Sequence, residues 1–121
     1  MAKVVIVDDS PTEVYVLQKM LTEKGFHVES ASSAEEGLAL IRSGKPDLVL
    51  MDVVMPGMNG FQATRQLSRD PETAKIPVIM VTTKDQETDR IWGMRQGAKA
   101  YLTKPVNEAD LMTALRQVLG G

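Results

Sequence analysis

Five short runs rich in β-branched and other apolar residues punctuate this chain: Lys3–Val7, His27–Ser30, Leu48–Met51, Val78–Val81 and Ala100–Thr103. Their spacing constrains the fold more than any other feature. Three of the runs are almost entirely apolar, and a strand with no polar face has to be covered on both sides, as strands of a parallel sheet are. Parallel neighbours cannot be joined by a tight hairpin, so each connection must cross the sheet and is usually a helix. The intervening segments have that character. Val14, Leu17 and Leu21 share one helical face, as do Ala34, Leu38 and Ile41, and later Leu111, Leu115 and Val118.

Start and stop signals divide the chain in the same way. Ser10-Pro11-Thr12-Glu13 offers an N-cap, a proline at the first helical position and a reciprocal glutamate. Ser33-Ala34-Glu35-Glu36 reads as a second capping box, and Asn107-Glu108-Ala109-Asp110 opens the last helix with a cap and early acids. Gly25, Gly44 and Gly97 stand where helices should end. On the fourth helix, Ile91 and Met94 are assigned to the inward face, which leaves Trp92 turned by about 100° from Ile91. The alternation reads as an α/β fold: (βα)5, an open, doubly wound parallel sheet with helices on both faces. Right-handed crossovers leave only a few strand orders, of which 2-1-3-4-5 is a common one. In any of them, chemistry belongs at the carboxyl ends of the strands.

Composition narrows the partners. A chain of 121 residues is expected to be one domain, 1–121, without an appended output domain, and its 43% hydrophobic content is enough for one core. The formal net charge is −2 with both signs interspersed, which argues against nucleic acid or a membrane surface as a partner. The absence of cysteine rules out a disulfide scaffold, a thiolate metal site and a cysteine nucleophile. No stretch resembles a signal peptide or a spanning helix, so membrane insertion is not expected and a cytoplasmic location is.

What terminates each strand is the informative part. The first ends in Asp8-Asp9, the third in Asp52, the fourth in Thr82-Thr83, and the fifth runs through Tyr101 into Lys104-Pro105. Two carboxylates some 4 Å apart repel by roughly 4 kcal/mol at an effective dielectric near 20. Such a cluster must protonate, splay into water or bind a cation. An all-oxygen site with room for water suits Mg²⁺ better than Zn²⁺. The single histidine, His27, opens the second strand and reads as a solvated or edge residue. A hydroxyl from Thr82 and an ammonium from Lys104, facing a metal, match the needs of an incoming phosphoryl group, whose oxygens must be neutralised on each side. Asp52, carried rigidly by the buried run before it, is the candidate nucleophile and would form an acyl phosphate. A cis Lys104–Pro105 peptide is expected.

With those residues assembled, the chain resembles the CheY-like receiver family of two-component signalling over nearly its whole length. The resemblance rests on Val5-Ile6-Val7-Asp8-Asp9-Ser10, Asp47-Leu48-Val49-Leu50-Met51-Asp52, Met55-Pro56-Gly57-Met58-Asn59-Gly60, Ile76-Pro77-Val78-Ile79-Met80-Val81-Thr82 and Gly97-Ala98-Lys99-Ala100-Tyr101-Leu102-Thr103-Lys104-Pro105. It implies a flavodoxin-like receiver fold with strand order 2-1-3-4-5. It further implies that Asp52 takes a phosphoryl group from a histidine kinase's phosphotransfer domain, and that Thr82 and Lys104 bind the phosphoryl oxygens. Mg²⁺ would be held by Asp9 and Asp52, by Asp8 mainly through water, and by the Val54 carbonyl. Thr82 and Tyr101 would form a switch pair that alters the partner preference of the face made by the fourth helix, fifth strand and fifth helix. Such a protein is a phosphoacceptor switch, catalysing only its own phosphotransfer and autodephosphorylation. Gly60–Leu67 and Val81–Gly93 look like the single-domain regulators of type IV pilus twitching motility, of the PilH and PilG kind.

Some positions depart from the family's common pattern. Thr83 stands where a smaller residue usually opens access to the site, Val54 and Lys84 occupy positions that tune dephosphorylation, and Asn59 replaces a frequent aspartate. Three other readings fit the sequence less well. An aspartyl-phosphate phosphatase would place its nucleophile on the first strand in an Asp-x-Asp arrangement, with a cap insertion. A flavodoxin-like nucleotide binder would need a phosphate-binding loop where this chain has two acids. A phosphorylation-independent scaffold would usually have lost one of the acids, the threonine or the lysine. Trp92 reads either as half-buried packing or as a partner anchor on the switch face.

Overall fold

The structure is a computed structural model and describes residues 2–120. In chain order it contains β1 (Lys3–Val7), α1 (Pro11–Glu23), β2 (His27–Ala31), α2 (Ala34–Gly44), β3 (Leu48–Met51), α3 (Gly60–Arg69), β4 (Val78–Thr82), α4 (Glu87–Gln96), β5 (Ala100–Thr103) and α5 (Glu108–Leu119). All strand pairs are parallel, in the expected order β2-β1-β3-β4-β5. His27 is exposed on the edge strand β2, as its position implied.

The period-2 alternation of side chains explains how one sheet feeds two cores. Val4 and Ile6 of β1, Leu50 of β3 and Ile79 and Val81 of β4 pack against Leu17 and Leu21 of α1 and Leu111 and Leu115 of α5. Their neighbours Val5, Val7, Val49, Met51 and Val78 face the other way, against Ala34, Leu38 and Ile41 of α2 and Ala63 and Leu67 of α3. Every residue of β3 and β4 is buried. These two strands therefore hold their carboxyl ends rigidly, and truncating a central side chain such as Leu50 to alanine is expected to cost about 2–5 kcal/mol.

Helix caps follow the local chemistry with small departures. The hydroxyl of Ser10 accepts from the Glu13 amide with Pro11 at the first position, but the expected return bond from Glu13 is replaced by one from the Ser10 amide to Asp8; Asn107 accepts from the Asp110 amide. Ser33 accepts from the Glu36 amide, but the Glu36 carboxylate returns to the Ser32 amide rather than to that of Ser33. A fully reciprocal box forms at Asn59 and Gln62, at the start of α3. Gly97 closes α4 in the left-handed conformation (φ 117°), whereas at the end of α2 the left-handed residue is Lys45 rather than Gly44.

One expectation is overturned. Ile91 and Met94 do not face inward: they are exposed, as is Trp92, while Gly93 and Gln96 form the buried face of α4. Met80 and the Tyr101 ring already fill the space beneath the helix, so only a small residue fits there. Arg90 and Met94 line a groove with Tyr101, Leu102 and Asp110. Trp92 lies about 160° around the helix axis from both of them. It therefore occupies the α3 side of α4, where Ser68 Oγ donates to the Gln96 carbonyl at 2.9 Å.

Candidate functional site

The carboxyl ends of β1, β3, β4 and β5 meet at one edge of the sheet. The parallel register carries Val7 beside Met51, Met51 beside Met80, and Thr82 beside Thr103, so the residues just past each strand are neighbours. Backbone bonds extend the pairing by one step. The Asp8 amide donates to the Ala31 carbonyl, the Asp52 amide to the Val7 carbonyl at 2.9 Å, and the Lys104 amide to the Thr82 carbonyl at 2.8 Å.

Asp8 is almost fully buried. One of its oxygens accepts from the Ser10 amide at 2.9 Å, which ties the acid to the start of α1, and the other accepts from Lys104 Nζ at 2.8 Å. Asp52 is also buried, with Oδ1 accepting from the Val53 amide at 2.8 Å and Oδ2 lying 3.7 Å from the same ammonium. Asp9 is exposed to solvent. Lys104, whose side chain is only 9% exposed, bridges the buried acids and also comes within 4.0 Å of Glu13 Oε2. The Lys104–Pro105 peptide is cis, as expected.

The electrostatics follow from that geometry. Desolvation is the main reason that the Asp52 carboxyl is pushed up to about 6, with the charge of Asp8 adding to it; Lys104 and the Val53 and Val54 amides oppose the rise. Burial works against the charge of Lys104, but its hydrogen bond to Asp8 and the fields of Asp52, Asp8 and Glu13 outweigh burial and raise its pKa. One cation among three carboxylates leaves the corner short of positive charge. An oxygen from each of Asp8, Asp9 and Asp52 lies within 4.8 Å of the others, the one such acidic triple among the described residues. An all-oxygen donor set with one member open to water fits Mg²⁺, which keeps several waters and takes few carboxylates.

The other expected residues lie close by, with their own partners. Thr82 is fully buried at the end of β4, and its Oγ1 accepts from the Lys84 amide at 3.2 Å. Tyr101 is packed inward, and its hydroxyl donates to the Lys84 carbonyl at 2.7 Å. Burial above all, with Asp89, Asp85 and Asp52 adding, pushes the phenol up to about 12, so it stays a donor at neutral pH. Val54 is exposed in the loop after Asp52. That loop folds back so that Gly60, at the start of α3, donates its amide to the Val53 carbonyl; a Cβ at Gly60 would collide with the Asp52 carbonyl.

The structure thus brings Asp8, Asp9, Asp52 and Lys104 into one cluster, with Thr82 at the end of the adjacent strand. Two residues take part in ways that the sequence reading did not assign to them. Glu13 reaches Lys104 because the first turn of α1 starts over the end of β1, a proximity that its place three residues past the Ser10 cap could have shown. Lys84 joins Thr82 to Tyr101 through its backbone alone, which no side-chain motif reveals.

The comparisons agree with this arrangement. The family profile described as Response regulator receiver domain matches residues 4–116. The chain is 61% identical to Protein PilH of Pseudomonas aeruginosa over 121 residues, covering all of both chains. It is 38% identical over 117 residues to the response regulator PleD of Caulobacter vibrioides, spanning 97% of this chain and 26% of PleD. Among solved structures it matches chemotaxis protein CheY4 of Vibrio cholerae with a TM-score of 0.92 at 33% identity, covering 98% and 99% of the two chains. Sheet order, acidic corner and similarity over the full length lead to one assignment: the chain belongs to the response regulator receiver domain family.

Proposed function

We propose that this chain is a phosphoacceptor switch in which Asp52 carries the phosphoryl group. The observation that supports this reading most strongly is the Lys104 ammonium held between Asp8 and Asp52. At neutral pH a carboxyl titrating at about 6 is mostly ionised, so an Asp52 oxygen is available as a nucleophile. It attacks the phosphorus of a phosphohistidine on a histidine kinase's phosphotransfer domain. The P–N bond breaks, its electron pair stays on the imidazole, which takes up a proton from solvent, and an acyl phosphate forms on Asp52. Lys104 offsets the negative charge of the transferred oxygens, and the Thr82 hydroxyl donates to another of them. Asp8, Asp9, Asp52 and the Val54 carbonyl would hold Mg²⁺, which supplies charge neutralisation and orientation of the phosphoryl oxygens. Water later cleaves the acyl phosphate and resets the switch.

Transfer of the Thr82 hydroxyl from its contact with the Lys84 amide to the phosphoryl group would alter the path to Tyr101, because both side chains meet at Lys84. A ligand that interacts differently with two arrangements shifts their populations, and a few kcal/mol inverts a modest bias. The readout is a downstream protein that contacts the α4-β5-α5 face, with neither nucleic acid nor membrane insertion involved. No described helix is long and apolar enough to cross a membrane. High identity to PilH over its full length supports a cytoplasmic role in type IV pilus twitching motility. The test is intact-mass measurement after incubation with a small phosphodonor and Mg²⁺. One phosphoryl group on the wild type and none on Asp52→Asn is the expected outcome; equal uptake by both would refute the assignment.

A further inference from the structure

Gly93 is an oddity of α4. It stands in the middle of a helix, where glycine costs conformational entropy, and no left-handed φ is needed there. Its justification is steric. A Cβ built on Gly93 would lie 2.7 Å from Met80 Sδ and 3.1 and 3.2 Å from Cδ2 and Cε2 of Tyr101. The ring that it would press is the one whose hydroxyl donates to the Lys84 carbonyl, while the Lys84 amide donates to Thr82. Met80 is fully buried in the centre of β4, packed with Val53, Ala98 and Tyr101, so it has little room to retreat. Tyr101, on the edge strand β5, borders the groove towards solvent that Arg90 and Met94 line, so it has a way out.

We propose that Gly93 is a positioning residue for the switch: its missing side chain is the seat that admits the inward Tyr101 ring. A methyl group at 93 moves the ring population outward and breaks the Tyr101–Lys84–Thr82 chain, uncoupling the phosphoacceptor corner from the α4 surface. The atoms nearest to a Cβ on Gly93 belong to Met80 and Tyr101 and not to the acidic corner, so phosphoryl uptake by Asp52 should survive the change. The inference rests on the receiver reading for its functional meaning, but the seat itself is a packing claim that stands or falls separately.

The experiment labels the protein with 3-fluorotyrosine in a Tyr15→Phe background, leaving Tyr101 as the sole tyrosine. The ¹⁹F resonance is recorded in H2O and D2O, with and without Gly93→Ala. With Gly93 present, the resonance should show little solvent-isotope shift; with alanine it should show the larger shift of an exposed ring. An unmoved resonance in Gly93→Ala would overturn the proposal. A double-mutant cycle covers a poorly folding variant. Gly93→Ala should lower the urea midpoint when Tyr101 is present, and should not lower it in Tyr101→Ala, where the seat is empty. An equal loss in both backgrounds would mean that Met80 or the helix bears the clash, and the proposal would fail. Intact mass after phosphodonor treatment keeps the two ideas apart. Phosphorylation of the wild type but not of Gly93→Ala contradicts the separation of seat from corner, while failure of the wild type itself strikes the receiver reading and leaves the seat to be judged by the ¹⁹F result.

Discussion

The acidic corner and the helix α4 are neighbours built on opposite principles. At the corner, charged side chains are buried and held: Asp8 and Asp52 lie inside the sheet edge with Lys104 between them. On α4, apolar side chains are exposed: Ile91, Trp92 and Met94 face solvent while Gly93 and Gln96 face in. Hydrophobicity alone misassigns both. Buried charge that is paired by design points to chemistry, and an apolar surface above a glycine-lined contact points to a partner or a moving part.

The largest test of that contrast removes the corner's cation. Lys104→Met should leave Asp8 and Asp52 facing each other with no positive charge between them. Stability at neutral pH should fall by about 3 kcal/mol, as when one member of a buried pair is deleted. Phosphodonor-driven modification should drop by at least about tenfold, the equivalent of losing roughly 1.4 kcal/mol of transition-state stabilisation. Urea unfolding and intact mass measure the two effects. If stability were unchanged, the corner would be a solvated surface like any other.

Next comes Asp52→Asn in protein freed of metal. The folded-state pKa of Asp52 is about 6, above its ordinary 3.8. A raised carboxylate contributes stability that is complete below the unfolded value and lost as pH rises through the folded one. The variant should therefore exceed the wild type in stability by about 2 kcal/mol above pH 7. The gap should close as the pH falls through 6 towards 4. Added Mg²⁺ should stabilise the wild type more than the variant and narrow the gap at neutral pH. Thermal melts across pH, with and without Mg²⁺, follow this directly; a gap that widened towards acid would contradict the sign.

Tyr101→Phe probes the link between the two regions. It deletes one partly buried hydrogen bond to the Lys84 carbonyl and should cost about 1 kcal/mol. Phosphoryl uptake should be retained, with weaker discrimination by a downstream partner. The smallest stability effect belongs to Trp92→Ala, expected within about 0.5 kcal/mol because the indole is half exposed. Partner affinity, measured by titration calorimetry, should nonetheless fall. Because Trp92 lies on the α3 side of α4, that loss would extend the contact surface beyond the groove at β5 and α5; unchanged affinity would confine partners to that groove.

How much of this was legible in the sequence varies between the same two regions. Three strands are readable because runs such as Leu48–Met51 are apolar almost throughout and end in polar residues, and β2 and β5 are readable from their spacing between helical segments. Strand-end logic then brought Asp8, Asp9, Asp52 and Lys104 together, because a parallel sheet places every strand's carboxyl end on one edge. On α4 the pattern misled. Periodicity assumes that large apolar residues face inward, but the inner face of this helix was already occupied by Met80 and Tyr101, which belong to other strands. No local pattern records volume taken up by residues distant in sequence. The bridging part of Lys84 was hidden for a related reason, since it acts through backbone groups that every residue carries.

On the proposed mechanism, one particular carboxylate in this corner becomes covalently modified. Borohydride reduction of the phosphodonor-treated protein, followed by peptide sequencing, reads this directly, because an acyl phosphate is reduced to the alcohol and leaves homoserine in place of aspartate. Homoserine at position 52 alone is the predicted result. Homoserine at position 8 or 9, or an untouched Asp52 in protein that has gained a phosphoryl group, would contradict it.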